Sequence, residues 1–361
     1  MSKCAKHIRS AISQINKYVP GKSIEEAAAQ YRCTPSNILK LGSNENQLGP
    51  SRKAIEAIKY ISKSVHLYPD IDSVLLKSEL SRYTGLPVNN LAVSGCGMDG
   101  VIDTLMRLFM REGKKGIIPE PTFSYYEIAI LANGGTPVFI PRRDDFSIKV
   151  DSIIEAAVDA SMIFLCSPNN PTGNQIPEKD LRRILKSVDS VVFLDEAYVE
   201  FADASFIHLV REYDNLVVGR TFSKAFGLAG LRLGYAAMPE EIQREYRKVA
   251  TPFSVSKVAE YAGVAALKDT EHLKKSIEMV KKGRHQLSTQ LNLKTYQTEA
   301  NFILINTYPH LASDVAVKLL GDGIIVRDCT GFQGAGKYLV RITIGTEEQN
   351  QSVINALNKI V

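Results

Sequence analysis

One lysine lies among residue types that would support covalent chemistry. Lys224 follows two hydroxyl residues, Thr221 and Ser223, and precedes a glycine-rich turn, with Arg232 eight residues further on. A lysine amine that is desolvated or close to a cation loses its proton more easily and can form a Schiff base with a carbonyl. Arg232 would supply such a cation and would also bind a phosphate. The alternative is an ordinary solvated lysine, which is the usual state of this residue type.

An aspartate directly follows a buried apolar run. Asp195 stands in the segment LDEAY after the residues VVFL at 191–194. A carboxylate there would be nearly desolvated, which costs several kcal/mol unless a cation or a strong donor meets it. A protonated pyridine nitrogen is such a partner, and a cofactor with that nitrogen also needs a lysine. The competing interpretation, a magnesium-binding aspartate of a nucleotide hydrolase, requires a GxxxxGK[ST] loop, which the sequence lacks.

A glycine-rich loop, GCGMDG at 95–100, stands between a predicted strand and a predicted helix at 101–110. Its glycines allow close backbone approach, and the helix N-terminus presents unpaired amides to an anion. The same letters satisfy GxGxxG, with Glu120 about twenty residues on, so a dinucleotide site is an alternative. Asp99, in the first helical turn, is either a ligand residue or a partner of the helix dipole.

A second loop, CSPNNPTG at 166–173, carries Asn170 between two prolines. The prolines fix a rigid turn, which suits a single directed hydrogen bond from Asn170. The alternative interpretation is a plain Asn-Pro turn.

The elements that must position these residues follow a regular alternation. Apolar runs typical of buried strands are separated by helical patterns, which predicts an α/β fold with a mostly parallel, doubly wound sheet covered on both faces. The seven predicted strands are 91–94, 116–119, 137–141, 162–166, 191–194, 216–218 and 233–238. In such a sheet ligands bind at the carboxyl ends of the strands, where all four chemical segments lie.

The remaining segments predict a three-part organisation. Residues 1–40 form an N-terminal arm with a short amphipathic helix, a turn at 18–21 and a second helix opened by the capping box of Ser23 and Glu26. Residues 41–245 form the large domain. Residues 246–361 form a smaller α+β domain with strands at 301–306, 324–327 and 338–343 and helices at 271–291, 311–320 and 347–359. The arm is expected to pack with the small domain or with a partner subunit.

The composition excludes several classes of protein. The net charge of +5 is spread along 361 residues without a basic run, which argues against nucleic acid and favours a small anionic substrate. The five cysteines have no CxxC spacing, so we expect no disulfide framework, no metal site and a cytoplasmic location. No apolar run approaches the roughly 20 residues of a membrane span, and we expect no contact with membranes.

Taken together, these motifs resemble those of the pyridoxal-phosphate enzymes that include aspartate aminotransferase, from end to end of the chain. Within that class the sequence is most similar to the histidinol-phosphate aminotransferase family. The resemblance rests on YVPGK at 18–22, LGSNEN at 41–46, LYPD at 67–70, SPNNPTG at 167–173, DEAY at 195–198, TFSKAFGLAGLRLGY at 221–235 and VRITIGT at 340–346.

The resemblance implies a cofactor, pyridoxal 5′-phosphate, and a role for each matching residue. Lys224 would hold the cofactor as a Schiff base and move a proton, and Asp195 would pair with the pyridinium nitrogen. Tyr198 and Asn170 would bind the phenolic oxygen, and Phe123 would stack on the ring. The phosphate would be held by Thr221, Ser223, Arg232 and the backbone of Gly97, Met98 and Asp99, with Tyr68 reaching the neighbouring subunit of a homodimer with shared active sites.

The residues that would recognise the substrate are Tyr18, Arg327 and Arg341. Arg341 lies between apolar neighbours, where an unpaired arginine is costly, so a substrate carboxylate or phosphate is a plausible partner. For Arg327 an intramolecular salt bridge is an equal alternative. Related sequences often carry Glu where this chain has Gly100, so any hydrogen bond from that side chain, for instance to an imidazole, is absent here. The six histidines fall in none of the motifs and are interpreted as structural or solvated.

The resemblance therefore implies an aminotransferase of histidine biosynthesis that exchanges an amino group between glutamate and imidazole acetol phosphate. Two alternatives share the cofactor, namely a threonine-phosphate decarboxylase and a broad aromatic aminotransferase. A third, from a different class, is a nicotinamide-dependent dehydrogenase built on the loop at 95–100. That alternative leaves Asp195 and Lys224 unexplained.

Overall fold

The structure is a computed structural model that describes residues 3–18, 21–31, 34–35 and 38–360. Val19 and Pro20 of the predicted turn, and Cys33, lie outside the described residues. The side chains of residues 30 and 31 are likewise not described.

The strands of the described chain fall into three sheets. In chain order, they are β1 Leu39–Lys40, β2 Leu91–Ser94, β3 Lys115–Glu120, β4 Thr136–Pro141, β5 Ala160–Cys166, β6 Val191–Asp195, β7 Leu216–Thr221, β8 Gly234–Ala237, β9 Lys294–Tyr296, β10 Phe302–Asn306, β11 Ile324–Ile325, β12 Arg327–Asp328 and β13 Leu339–Thr343.

The α-helices lie mostly between successive strands. They are α1 Ile24–Tyr31, α2 Arg52–Ile61, α3 Val74–Thr84, α4 Gly97–Phe109, α5 Tyr125–Ala132, α6 Val150–Ala156, α7 Glu178–Ser187, α8 Glu240–Val249, α9 Lys257–Leu267, α10 Thr270–Gln290, α11 Ala312–Gly321 and α12 Glu347–Ile360.

The central sheet has seven strands in the order β2-β8-β7-β6-β5-β3-β4. Only β8 runs antiparallel to its neighbours, so the predicted mostly parallel sheet is confirmed. Both faces are covered. On β6, Phe193 packs into one hydrophobic cluster, while Val192 and Leu194 pack into the other. This burial on two sides explains why the strand reads as an unbroken apolar run.

The C-terminal part contains a four-stranded antiparallel sheet in the order β12-β13-β10-β9. The predicted strand at 324–327 is wrong in one respect, because it is two strands in different sheets. Ile324 and Ile325 pair in parallel with Leu39 and Lys40, whereas Arg327 and Asp328 pair with β13. A period-two pattern reports burial on each face but does not identify the partner strand.

The N-terminal residues differ in part from the prediction. The short amphipathic helix is replaced by two 3₁₀ segments, Ala5–His7 and Ser10–Gln14. The capping box of α1 is confirmed, because the Glu26 amide donates to Ser23 Oγ at 3.0 Å and the Ser23 amide to Glu26 Oε2 at 3.1 Å. The helix packs through Ala27 and Ala28 against Leu320 and Ile325. The division into an arm and two domains at 40 and 245 stays a prediction.

Among the described residues, no helix combines the length and the apolarity that crossing a membrane requires.

Candidate active site

A cavity of about 380 Å³ opens at the carboxyl ends of β5, β6 and β7, beside the N-terminus of α4. That volume lies within the range of about 300–1,000 Å³ usual for small-molecule sites. Most of the predicted site residues line it together, namely Tyr18, Met98, Asp99, Phe123, Asn170, Asp195, Tyr198, Thr221, Ser223, Lys224, Arg232, Arg327 and Arg341. The structure thus brings together residues that are far apart in the sequence.

Lys224 is a buried amine in this cavity. Its Nζ donates a hydrogen bond to the carbonyl oxygen of Ser43 at 3.0 Å and lies 5.7 Å from the ring centre of Tyr198. Among the described residues, no carboxylate lies within 4.0 Å of Nζ. Burial, together with the positive charge of Arg341, lowers the pKa of Lys224 to about 8. A substantial fraction of this amine is therefore neutral near pH 8, as nucleophilic attack requires.

Asp195, the last residue of β6, faces the same cavity and has two donors. Its Oδ2 accepts from the Tyr126 hydroxyl at 2.7 Å, and its Oδ1 accepts from the Ala197 amide at 2.9 Å. Burial raises its pKa to about 6, although both donors oppose that shift. The carboxylate is thus mostly ionised at pH 7 and is held in one orientation.

Tyr198 and Asn170 contribute polar groups at the middle of the cavity. The Tyr198 hydroxyl accepts a hydrogen bond from Asn44 Nδ2 at 3.0 Å, so its own proton is available to a ligand. The side-chain oxygen of Asn170 accepts from Arg341 Nη1, which leaves the Asn170 amide nitrogen free to donate. Asn170 therefore does more than form a plain turn, because its side chain contacts a buried cation of another sheet.

Hydroxyls and an arginine converge at the N-terminal end of α4. Thr221 Oγ1 and Ser223 Oγ are both buried and lie 3.0 Å apart. Arg232 Nη2 lies 3.0 Å from Asp99 Oδ2, on the first turn of α4. Arg232 has a φ of 51°, a left-handed conformation that a non-glycine residue rarely adopts. The strained backbone places its guanidinium beside the helix N-terminus, an arrangement that binds anions.

Two glycines allow α4 to approach the sheet closely. A Cβ on Gly234 of β8 would lie 2.5 Å from the backbone carbon of Gly97. Gly97 has a φ of 68°, and a Cβ there would lie 2.9 Å from Arg232 Nη2. A side chain at position 234 would therefore push the start of α4 away from β8, and one at position 97 would displace the Arg232 guanidinium.

Arg341 is a buried cation without an acidic partner among the described residues. Its side chain is 5% exposed; Nη2 donates to the Gly42 carbonyl at 2.7 Å, and Nε has no hydrogen-bond partner. The register of β12 and β13 places Arg327 directly opposite Arg341. Like charges in that position are destabilising. The pair is thus suited to an anion that binds between or beside the two guanidinium groups.

Tyr68 does not line this cavity. Its ring is 81% exposed and packs against Phe253, with ring centres 5.0 Å apart. Its expected contact with a neighbouring subunit stays a prediction.

Several residues that contact the predicted site residues have no role predicted from the sequence. Tyr126 donates to Asp195, while Gly42, Ser43 and Asn44 contact Arg341, Lys224 and Tyr198. The last three lie in the segment LGSNEN, which was recognised as a motif without an assigned role. Tyr126 lies three residues after Phe123, within one helical turn of a predicted ring contact. That spacing was the available signal.

The dinucleotide alternative for the loop at 95–100 does not agree with the sheet order. An acidic residue that binds a ribose must lie close to the glycine-rich loop. Glu120 ends β3, which is five strand positions from β2, or roughly 24 Å at about 4.8 Å per strand. The Glu120 side chain instead lies against Gly334.

Comparison with known proteins agrees with this geometry. The sequence profile of the family described as aminotransferase class I and II matches residues 36–357. The chain belongs to this aminotransferase family. The predicted resemblance and the predicted fold class are thereby confirmed.

Within this family, the chain is similar to several proteins of one name. The aminotransferase is 54% identical over 354 residues to the histidinol-phosphate aminotransferase of Methanococcoides burtonii, covering 98% of each chain. Its fold matches histidinol-phosphate aminotransferase from Sinorhizobium meliloti in complex with pyridoxal-5′-phosphate, with a TM-score of 0.87, 24% identity and coverage of 98% and 97%. The match to the histidinol-phosphate aminotransferase from Clostridium acetobutylicum has a TM-score of 0.84 and 26% identity. It covers 90% of this chain and 99% of the other.

Proposed function

We propose that this aminotransferase binds pyridoxal 5′-phosphate at Lys224 and exchanges an amino group between glutamate and imidazole acetol phosphate. The products are histidinol phosphate and 2-oxoglutarate. The observation that carries the proposal is that a buried amine, Lys224, and a buried carboxylate, Asp195, line the same cavity. The relatives described above support the choice of substrates.

The side chains of the cavity fit this cofactor at each of its functional groups. Lys224 offers an amine of lowered pKa for the aldehyde, and Asp195 offers an oriented carboxylate for the ring nitrogen. Thr221, Ser223 and Arg232 supply donors for a phosphate beside the N-terminus of α4. When bound, the cofactor accepts the electrons released as the substrate loses its Cα proton.

The chain's own residues perform the remaining tasks. Lys224 would be the base that removes and returns a proton at the substrate Cα, because it lines the cavity and burial lowers the pKa of its amine. Tyr198 and Asn170 orient the ring by donating hydrogen bonds. Asp195 holds the ring nitrogen protonated, since an ionised carboxylate next to it favours the cationic form.

Arg341 and Arg327 are proposed to bind the substrate's anionic groups, with Tyr18 at the rim. A carboxylate accepts two parallel hydrogen bonds from one guanidinium, and Nε of Arg341 is available for one of them. The same two cations serve a dicarboxylate and a phosphate ester in turn, as the exchange requires. Gly100 contributes no side chain toward an imidazole.

We further propose a symmetric homodimer in the cytoplasm. An exposed apolar surface extends from the end of α2 to the start of α3, and we name it the α2–α3 surface. Such a patch is typical of an interface in a protein of this size. It comprises Tyr60, Val65, Leu67, Tyr68, Ile71, Val74 and Leu75. The cytoplasmic location is supported by cysteine usage, since Cys96, Cys166 and Cys329 are free thiols.

Absorbance spectroscopy of the purified protein tests the proposal. After addition of pyridoxal 5′-phosphate, we expect a visible band that decays when either histidinol phosphate or glutamate is added alone, because each donor completes one half-reaction. Release of carbon dioxide from threonine phosphate would instead indicate the decarboxylase. A higher kcat/KM for phenylalanine than for histidinol phosphate would indicate the aromatic aminotransferase.

Lys224→Ala is the decisive variant. It should lose the visible band and lower multiple-turnover transamination by at least about 10³-fold, because both the covalent bond and the base are removed. Lys248→Ala is the matched control, since Lys248 is exposed on α8 and pairs only with Glu245 in this part of the molecule. Normal turnover by Lys224→Ala would refute the assignment.

A further inference from the structure

A buried ion pair lies behind the candidate active site, on the opposite face of the central sheet. Arg220 Nε and Nη2 lie 2.9 Å and 2.8 Å from Glu196 Oε2. The two side chains are 7% and 0% exposed, which makes this the least accessible ion pair among the described residues. No step of the proposed reaction uses either residue.

The chain positions of this pair connect it to the cavity. Glu196 directly follows Asp195, and Arg220 directly precedes Thr221. Successive residues of a strand point to opposite faces of the sheet. The register of β6 and β7 places Asp195 opposite Gly219, so Glu196 and Arg220 are opposite each other one residue further on. The ion pair therefore connects the two strand ends that carry Asp195 and the segment from Thr221 to Lys224.

Additional hydrogen bonds fix the glutamate. The Glu196 amide donates to the Gly219 carbonyl at 2.8 Å. Its side chain accepts from the Phe206 amide at 2.7 Å and from Ser205 Oγ at 3.1 Å. Arg220 Nη2 also donates to Ser205 Oγ. The pair thus connects β6, β7 and the segment after β6, so that none of the three can move without breaking a charged hydrogen bond.

Stability alone does not account for this arrangement. Replacing a buried ion pair by apolar residues of similar volume is often neutral or stabilising, because two charges no longer need to be desolvated. A directional pair is useful instead where a distance must be fixed. The distance in question is that between Asp195 and Lys224, which must contact opposite ends of one ring.

We propose that Glu196 and Arg220 are positioning residues that hold the ends of β6 and β7 at the separation the cofactor requires. The inference rests on the proposed function, since that function supplies the ring. It adds two residues that touch neither the cofactor nor the substrate. Their effect passes through Asp195 on one strand and through Thr221, Ser223 and Lys224 on the other.

Glu200 provides an internal control in the same region. Its carboxyl group is buried, with Arg220 and Tyr83 as its charged and polar neighbours, and it forms no hydrogen bond to Glu196 or Arg220 among the described residues. It lies in a 3₁₀ segment, Val199–Phe201, and does not connect β6 with β7. It shares the electrostatic environment of the pair without sharing its connecting hydrogen bonds.

The test is a double variant, Glu196→Leu with Arg220→Met, that exchanges the ion pair for apolar side chains. We expect thermal unfolding within a few degrees of the wild type, a dissociation constant for pyridoxal 5′-phosphate raised at least about tenfold, and kcat lowered about 10- to 100-fold. The KM for glutamate should change less than about threefold, because Arg327 and Arg341 belong to another sheet. Wild-type cofactor affinity and kcat in a folded double variant would overturn the proposal.

Two single variants refine the result. Arg220→Lys keeps one charge and loses the two-nitrogen contact with Glu196, so its cofactor affinity should lie between those of the wild type and the double variant. Glu200→Gln should leave cofactor affinity and kcat within about twofold. An equal loss in Glu200→Gln would show that general packing of this region, rather than the link between strands, is responsible, and would refute the proposal.

If the double variant does not fold, the single variant Glu196→Gln tests the proposal instead. The glutamine keeps an acceptor for the Phe206 amide but lacks the charge that pairs with Arg220, so we expect a native circular-dichroism spectrum with weakened cofactor affinity. An affinity for pyridoxal 5′-phosphate equal to that of the wild type would refute the proposal that Glu196 and Arg220 position the strand ends. Cofactor affinity is measured without an amino donor, so failure of histidinol phosphate to react would refute the substrate assignment and leave this inference standing.

Discussion

At the scale of single residues, the pKa of Asp195 is shifted in opposite directions by burial and by hydrogen bonding. Burial raises the pKa of its carboxyl group, while the donors Tyr126 and Ala197 lower it, with a result of about 6. A hydrogen bond to a charged group contributes about 1.5–3 kcal/mol, which corresponds to one to two pH units in a titration. Tyr126 therefore determines whether Asp195 is charged at neutral pH.

Tyr126→Phe removes one donor and should raise the pKa of Asp195. The protonated, inactive form then persists to higher pH. We expect the acidic limb of the pH profile of cofactor affinity to move upward by about one pH unit or more. The measurement is a spectral titration of the cofactor-free protein with pyridoxal 5′-phosphate at a series of pH values.

Tyr125→Phe is the matched control for that experiment. Tyr125 is the neighbouring residue on α5, and its hydroxyl donates at the same distance of 2.7 Å to a different acid, Asp103. Its substitution should leave the acidic limb in place. Equal shifts in the two variants would contradict the role assigned to Tyr126.

The burial of Glu200 leads to a prediction about how the free energy of unfolding depends on pH. Burial raises its pKa from 4.5 to about 7. Between those two pH values the folded state binds more protons than the unfolded state, so the free energy of unfolding falls as pH rises. Glu200→Gln stays neutral and should be more stable than the wild type at pH 8, by about 3 kcal/mol at most, with little difference near pH 4. Thermal unfolding at both pH values measures the effect.

A glutamate on the molecular surface provides the control for Glu200. Glu278 is exposed on α10, and Glu278→Gln changes the net charge by the same amount without affecting a buried group. A gain in stability at pH 8 that is equal in both variants would reflect net charge and would contradict the explanation by burial.

At the scale of elements, the junction of β2 and α4 is closely packed at Gly100. A Cβ there would lie 2.3 Å from Ser94 Oγ and 2.7 Å from the Cβ of Cys96. The local packing therefore leaves no room for a side chain at position 100.

Gly100→Ala should lower the free energy of unfolding by about 1–3 kcal/mol, because it overpacks this junction. Adding Ser94→Ala should recover part of the loss. Gly321→Ala in α11 is the control, since a Cβ there meets no atom within 4 Å and alanine favours a helix. Denaturant unfolding curves measure all three. A Gly100→Ala variant as stable as the wild type would contradict the close contact.

The buried strands of four or more residues were predictable from the sequence, and the shortest strands were not. β5 and β6 each contain an unbroken apolar run of at least four residues, so both were predicted to within two residues. β1 and β9 have two and three residues of mixed polarity, too few for any periodicity to be detected. The single predicted strand at 324–327 proved to be two strands, because the side-chain pattern does not name the pairing partner.

The residues of the candidate site can likewise be separated into those that were predictable from the sequence and those that were not. Lys224, Asp195 and the hydroxyls lie in local motifs whose residue types indicate their chemistry. Tyr126 and Asn44 act through contacts with residues distant in the sequence, which depend on the packing of several elements. No local pattern contains that information.

At the scale of the whole molecule, the α2–α3 surface leads to a prediction about assembly. Tyr60 is 74% exposed and Tyr68 is 81% exposed, next to Leu67 and Ile71. Leu67→Asp with Ile71→Asp should convert the proposed dimer to a monomer, because charges would be buried at the interface. Cofactor affinity should fall as well, since Tyr68 is expected to reach the neighbouring site. Analytical ultracentrifugation and spectral titration measure the two effects.

Val158→Asp is the control for the assembly experiment. Val158 is an exposed apolar residue after α6, away from the α2–α3 surface in sequence. It should leave the sedimentation coefficient unchanged. A double variant that sediments as the wild type does would show that subunits associate elsewhere.

The segment from Gly42 to Asn44 links the C-terminal part of the molecule to three residues of the candidate site. Its three residues contact Arg341, Lys224 and Tyr198, and the adjacent strand β1 is hydrogen-bonded to β11 near the C-terminal sheet. A rotation of that sheet would displace the carbonyl that Lys224 uses and the amide that Tyr198 uses. A ligand that displaced this segment would therefore also alter the proton affinity of the reactive amine, because Lys224 Nζ would lose its acceptor.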